Sequence, residues 1–302
     1  NDYSVWVYPD DVSEKTPDDV SVYTQFDNQA KKDLENGKNV LIVSNGTSTA
    51  LPQSKAVTFR PDFWSPMFHN ADNDGYVLGC YIDKEHPIFA DFPTDTYADW
   101  QWYDLVSNSR SILLEGAPVS LKPMVQAIPT IDLDDRLGTL FEAKVGKGKL
   151  VVSSIDLLNK ESAPAKQLLY SVKKYMSSDK FKPEVELEAE YVRTLLPAKD
   201  MKGITASAKE EIAVDEKAAI AVKCVDYQGN NVDMPQGADV EYESKNSQVA
   251  EVDAEGPITG ISAGMTEIAV RVTAEEITYE TSVVVVVGAA KAEAVPTDSL
   301  QI

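Results

Sequence analysis

The chain has 302 residues, 43% of them hydrophobic and 25% charged, which suits a folded protein of two or three domains. Its formal net charge of −21, with no Lys/Arg cluster to override it, excludes nucleic acid and anionic membrane surfaces as partners, because phosphate binding needs a basic patch. No apolar run reaches the roughly 18–20 residues of a membrane span, so membrane insertion is not expected either.

Taken from the start, residues 3–8 (YSVWVY) predict a buried strand, closed by Pro9-Asp10-Asp11. The chain opens directly into it, without a secretory signal, as a processed fragment would. Residues 20–26 predict a second strand. Residues 27–36 predict a short helix with Asp27 as N-cap and Gly37 as its stop. The continuous apolar run 39–44 (NVLIVS) is the pattern of a strand buried on both faces, and Asn45-Gly46-Thr47 turns the chain after it. Strand, helix and strand in this rhythm predict an α/β domain with a parallel sheet. Residues 60–102 are irregular and aromatic. Strands are expected at 111–114, 121–127, 137–145 and 149–155, the last two joined in a hairpin by Gly146-Lys147-Gly148. Ala163–Met176 reads as an amphipathic helix, with Leu168, Leu169, Val172, Tyr175 and Met176 on one face and Pro164 in the first turn.

Residues 181–202, with two prolines and a charged spacer, predict a linker. From Gly203 the pattern changes to alternating β segments at 204–207, 218–226, 240–244, 250–252, 266–273 and 278–287, with turn signals between them. A small β-sandwich over 203–288 is expected, followed by a flexible tail at 289–302. Cys80 and Cys224 fall in different expected domains, so a disulfide between them is not expected.

The chemistry-bearing stretch is Phe92–Trp102. It places two of the four tryptophans beside Tyr97, Asp95 and Asp99. Rings flanked by hydrogen-bonding groups suit a sugar, with Trp64, Tyr97, Trp100 and Trp102 stacking and Asp95, Asp99 and Gln101 bonding hydroxyls. The same composition suits a packed corner or an interface. Alternation predicts that one of Trp100 and Trp102 faces in and the other out. The chain lacks the serine-hydrolase elbow, Walker A, the dinucleotide fingerprint, H-E-x-x-H and paired C-x-x-C. Neither a cofactor nor a metal is expected, since His69 and His86 are too few for a histidine cluster. Cys80, followed by Tyr81, reads as a structural thiol. Glu142 and Asp156 lie on or just past strands, where ligand groups collect, although a structural hydrogen bond is the plainer expectation for both.

Several stretches carry a resemblance: Phe63-Trp64-Ser65-Pro66-Met67-Phe68, His86-Pro87-Ile88-Phe89, Asp99-Trp100-Gln101-Trp102, Leu140-Phe141-Glu142-Ala143 and Ser153-Ser154-Ile155-Asp156-Leu157. Over residues 1–180 the chain resembles the domain C-terminal to the catalytic barrel in Bacteroides-type family-2 glycoside hydrolases (the β-galactosidase, β-glucuronidase and β-mannosidase group). The resemblance implies a flavodoxin-like fold, similar to class I glutamine amidotransferases. The G-x-C-x-G elbow and His-x-Glu partner of those enzymes are missing, so their activity is not implied. Residues 203–288 resemble a bacterial immunoglobulin-like domain of group 2, through Tyr242-Glu243-Ser244-Lys245-Asn246-Ser247 and Gly256-Pro257-Ile258-Thr259-Gly260. Tryptophan is commoner where Tyr242 stands.

The resemblance implies a non-catalytic accessory region of a glycoside hydrolase, periplasmic or at the cell surface. Its partner would be an upstream barrel of the same polypeptide. Trp64, His69, Tyr97, Asp99, Trp100 and Trp102 would be glycan or interface contacts. Two other functions fit the residues. One is a surface adhesion or scaffold protein built on the immunoglobulin-like unit. The other is a hydrolase with a degenerate site, in which Asp156 would activate water near Asn45, Gly46 and His69.

Overall fold

The structure is a computed structural model and describes residues 5–47, 50–59, 77–130, 133–198, 200–227, 229–274 and 277–288. The chain divides into two compact units, Asn1–Ala198 and Lys199–Ile302.

The first unit contains nine strands among its described residues: β1 (Val20–Tyr23), β2 (Asn39–Val43), β3 (Ser54–Val57), β4 (Val77–Ile82), β5 (Ser109–Leu113), β6 (Val125–Pro129), β7 (Leu137–Gly138), β8 (Leu140–Val145) and β9 (Gly148–Ser153). Its helices are α1 (Asn28–Glu35), α2 (Tyr103–Val106), α3 (Ala163–Met176) and α4 (Ala189–Leu195). Six strands form one sheet in the order β1-β2-β9-β8-β6-β4, and β3-β5-β7 form a smaller one. Only β1, β2 and β9 run parallel; β8, β6 and β4 join antiparallel. The flavodoxin-like expectation required a parallel sheet throughout, and this mixed sheet departs from it. The reason lies in the connections. The Gly146-Lys147-Gly148 turn is too short for a crossover helix, so β8 and β9 must be antiparallel.

Period two explains the core. On β2, Leu41 and Val43 enter one cluster, with Leu168 and Val172 of α3. Val40 and Ile42 enter the other, with Leu34 of α1 and Val192 and Leu195 of α4. Each such aliphatic side chain, once buried, contributes about 1.5–3 kcal/mol. The helix at 28–35 starts where Asp27 accepts a hydrogen bond from the Ala30 N–H at 2.7 Å. Within it Asp33 is 4% exposed and accepts from Ser21 Oγ at 2.7 Å and Tyr23 OH at 2.8 Å, with Lys38 Nζ 3.0 Å away. Burial pushes the Asp33 carboxyl up, but these bonds and the lysine outweigh it and hold it low.

Three sequence expectations change here. Residues 5–8 form no strand; Val5 and Val7 are exposed, while Trp6 and Tyr8 dock through their polar ends. The expected strand at 137–145 breaks at Thr139 into β7 and β8, which belong to different sheets. Residues 181–198 are not a free linker. Phe181, Leu187, Val192 and Leu195 are buried, and Lys144 exchanges backbone hydrogen bonds with Val185 and Leu187 at 2.7 and 2.9 Å. Arg193, 1% exposed, donates to Asn28 Oδ1 and lies over the Phe26 ring.

The second unit is all-β among its described residues. Its strands are β10 (Gly203–Ser207), β11 (Glu211–Ala213), β12 (Lys217–Ala219), β13 (Ala221–Val225), β14 (Asn231–Val232), β15 (Asp239–Ser244), β16 (Ala250–Val252), β17 (Pro257–Gly260), β18 (Gly264–Ala274) and β19 (Ile277–Gly288). They form sheets β11-β19-β18-β15, β10-β13-β14 and β12-β17-β16. The β18–β19 hairpin pairs Gly264 with Val287 and runs to Ala274 with Ile277. Ile268, Val270 and Val272 alternate inward between Glu267, Ala269, Arg271 and Thr273 and fill the sandwich. Gly256 has φ +95°, and the ring of Tyr242 occupies the space a Cβ there would need. No helix among the described residues is long and apolar enough to cross a membrane.

Candidate functional site

The aromatic stretch folds around its own polar groups. Asp99 caps a short 3₁₀ turn, Trp100–Trp102, by accepting the Gln101 N–H at 3.1 Å. Its other oxygen accepts from Trp6 Nε1 at 2.8 Å. Gln101, 4% exposed, accepts from Tyr8 OH at 2.5 Å and donates to the Pro93 carbonyl at 3.0 Å. Burial pushes the Asp99 carboxyl up against these bonds, with Asp95 adding to the rise. Burial and the Asp99 charge push the Tyr8 hydroxyl up to about 12.

The turn separates its two tryptophans. Trp102 is 0% exposed, donates Nε1 to Thr94 Oγ1 at 2.8 Å and meets Phe92 and Phe89 edge-on at 5.4 and 6.2 Å. It belongs to the core and cannot meet a sugar. Trp100 is 72% exposed. Its ring lies 5.2 Å from Phe59 and 6.2 Å from the exposed Tyr103, so the three rings form one surface knob. Tyr97 is also exposed. It bridges Tyr81 of β4, and the two tyrosines share a face of the sheet. The expected contacts therefore split: Tyr97 and Trp100 are on the surface, while Asp99 and Trp102 hold the turn. Trp64 and His69 lie outside the described residues.

A second cluster unites residues that the sequence scatters. Glu142 on β8 accepts from Tyr175 OH of α3 at 2.7 Å, and His86 Nε2 lies 3.9 Å from its other oxygen. His86 also caps the 3₁₀ turn Pro87–Phe89, its Nδ1 accepting the Ile88 N–H at 3.3 Å. Burial raises the Glu142 carboxyl and the Tyr175 hydroxyl and lowers the His86 imidazole, which Asp83 partly restores. The sequence signalled Glu142 and His86 singly. Only the packing of α3 on the sheet brings Tyr175 against both.

Other candidates are occupied by neighbours. The Asp156 carboxylate takes both bonds from the Asn159 side-chain amide at 2.9 Å. Asn45 Oδ1 accepts from Thr47 N and Oγ1 at 3.1 and 3.0 Å. Burial pushes the Cys80 thiol up to about 12, so it stays protonated, and both cysteines are free and buried. Among the described residues no group of three or more His, Cys, Asp or Glu could hold a metal ion.

Against known families, residues 21–197 match the model described as Domain of unknown function (DUF8487). Residues 208–285 match Bacterial Ig-like domain (group 2), which establishes the immunoglobulin-like part. Neither match ties the first unit to family-2 glycoside hydrolases or to amidotransferases. No curated protein matches. Among solved structures, domains 4 and 5 of the S-layer protein SbsC are 20% identical, covering 30% of this chain and 53% of that one, with a TM-score of 0.23. An intimin mutant from EHEC O157:H7 is 12% identical, covering 28% and 46%, at 0.20. The endo-beta-1,4-mannanase from Thermotoga petrophila is 11% identical, covering 87% and 42%, at 0.19. This chain spans about half the length of these proteins or less. TM-scores this low establish neither a shared fold nor a shared function.

Proposed function

The chain belongs to the family described as Domain of unknown function (DUF8487), here joined to a bacterial Ig-like domain (group 2), and on that premise we propose that it is a non-catalytic surface or scaffold module. The observation that carries this reading is the Ig-like unit. Such domains serve as spacers or adhesion modules in surface and secreted proteins. Its core here is aliphatic, and its charges, such as Arg271 with Glu243 and Glu280, lie outside. In the first unit, the carboxylates of Glu142 and Asp156 are engaged by neighbours rather than held ready for a substrate.

The contact surface in this reading is Tyr97 and Trp100 with Tyr103. Tryptophan and tyrosine are the commonest anchors at protein interfaces, and they also stack on sugars. The accessory role beside a glycosidase barrel, expected from the resemblance, has no support in the comparisons and gives way to the surface role. A glycan partner remains a second reading, favoured by the 72% exposure of Trp100 beside Tyr97.

The test has two arms. Intact cells of the source organism are treated with protease and fractionated; the module should be cut at the surface or recovered from the envelope. The purified full chain is then screened against glycans and envelope proteins, with Trp100→Ala as the control. A partner lost in that variant supports the reading. A chain confined to the cytosol and retaining no partner overturns it.

A further inference from the structure

A cleft of about 230 Å³ opens in the first unit, between the segment carrying Val12 and Glu14, the loop after β9 and helix α3. It uses none of the residues of the aromatic surface. Leu157, Leu158 and Leu169 give it an apolar lining, and three lysines face it. Two of these are occupied. Lys166 pairs with Glu161 at 2.8 Å and lies 3.9 Å from Glu14. Lys160 bonds the Asp104 carbonyl, with the Asp104 carboxylate 4.0 Å away.

Lys173 differs. It is 7% exposed and donates to one acceptor, the Glu14 carbonyl, at 3.1 Å. Among the described residues no carboxylate lies within ion-pair distance of its ammonium. An ammonium has three N–H donors, so most of its capacity is unspent. Burial accordingly pushes its pKa down, with the more distant Glu14 carboxylate opposing. A buried ammonium with no counter-ion among the described residues is a costly arrangement that a bound anion would relieve.

We propose that this cleft binds a small carboxylic acid with an apolar body, its carboxylate on Lys173 and its body against Leu157, Leu158 and Leu169. The volume sets the size. At about 230 Å³ it lies below the roughly 300–1,000 Å³ of pockets for drug-sized ligands, so a short fatty acid or an arylacetic acid fits. The charge sets the class. Among the described residues one buried ammonium faces the cleft without a carboxylate at ion-pair distance, and its single charge matches a monoanion.

The experiment titrates the full chain with hexanoate, phenylacetate and the neutral hexanamide, read by calorimetry and by methyl NMR. Saturable one-to-one binding of an acid, with shifts at Leu158 and Leu169, is expected. Hexanamide should bind at least about tenfold more weakly than hexanoate, the size of one charge-assisted hydrogen bond. Lys173→Met keeps the side-chain length and should lose affinity by the same factor. Leu158→Asp, at a position 38% exposed and so tolerant of change, should repel the acid without unfolding the unit. Absence of saturation by either acid, equal binding of acid and amide, or unchanged affinity in Leu158→Asp would each overturn the assignment. Those outcomes leave the surface role untouched, because it rests on other residues.

Discussion

Trp102→Ala removes the largest fully buried side chain among the described residues of the first unit. Truncating a buried Phe or Trp to Ala costs about 3–5 kcal/mol. The lost Nε1 bond to Thr94, which leaves a hydroxyl without its donor, places the expected cost at the upper end of that range. For a unit of this size each kcal/mol lowers Tm by roughly 2–4 °C, so a fall of about 8–20 °C is expected. Trp100→Ala is the contrast. Its ring is 72% exposed and touches only Phe59 and Tyr103 among the described aromatics, so its removal costs at most about 1 kcal/mol and Tm moves by a few degrees. Tryptophan fluorescence is the right assay. All four tryptophans, at positions 6, 64, 100 and 102, lie in the first unit, so the signal is silent on the Ig-like unit. Trp102→Phe, which keeps a ring against Phe89 and Phe92, should fall between. Equal melting of the Trp100→Ala and Trp102→Ala proteins would refute the division of the two rings into surface and core.

Gly148→Ala should destabilise the first unit by roughly 1–3 kcal/mol or more, read as a lower urea midpoint. Its Cβ would lie 2.6 Å from the Lys38 carbonyl oxygen and 2.7 Å from Leu34 Cα and O, all backbone atoms that cannot turn aside. Gly256→Ala, at φ +95° and against the Tyr242 ring, should cost the Ig-like unit about 1–2 kcal/mol, seen by far-UV circular dichroism. His86 makes a pH prediction. Its folded pKa lies below the ordinary 6.5, so its contribution to stability is complete above that value. As pH falls through that value the unfolded chain takes the proton first, and stability is lost. Glu142, raised in the folded state, works the opposite way, losing stability as pH rises through its own folded pKa. His86→Gln should therefore flatten the decline of the urea midpoint just below pH 6.5. A histidine that titrates above its ordinary value by NMR would contradict the burial argument.

How far the sequence could be read depends on the range of the interactions. The alternation along 266–273 and 278–287 depends on neighbours two residues away, and the observed hairpin follows it closely. The apolar run at 39–44 predicts a strand covered on both faces, and Val40/Ile42 and Leu41/Val43 of the strand at 39–43 do enter separate cores. Residues 5–8 carry an equally β-like pattern yet form no strand, because pattern supplies a face and not a partner strand. Residues 181–198 looked like a linker because their charges and prolines dominate the composition. Their few apolar residues, Phe181, Leu187, Val192 and Leu195, suffice to fasten them to the sheet.

The candidate contacts show the same limit. One of Trp100 and Trp102 does face in and the other out, but they lie on a 3₁₀ turn capped by Asp99 and not on the strand that alternation supposes, and the turn decides which is which. No local pattern could show that Asp99 would be held by Trp6, 93 positions away, or that Glu142, His86 and Tyr175 would meet.

By itself the sequence determined the net acidity, the Ig-like part, the buried strand at 39–43, the 140–153 hairpin and the long helix at 163–176, since these follow from composition and from periodicities of two and 3.6 residues. Tertiary structure alone decided the mixed direction of the first sheet, the docking of residues 181–198 and the side chains that share a site. Those depend on pairings between distant strands and on how α3 lies against them, and the order of residues along a chain does not record which distant partners will be close.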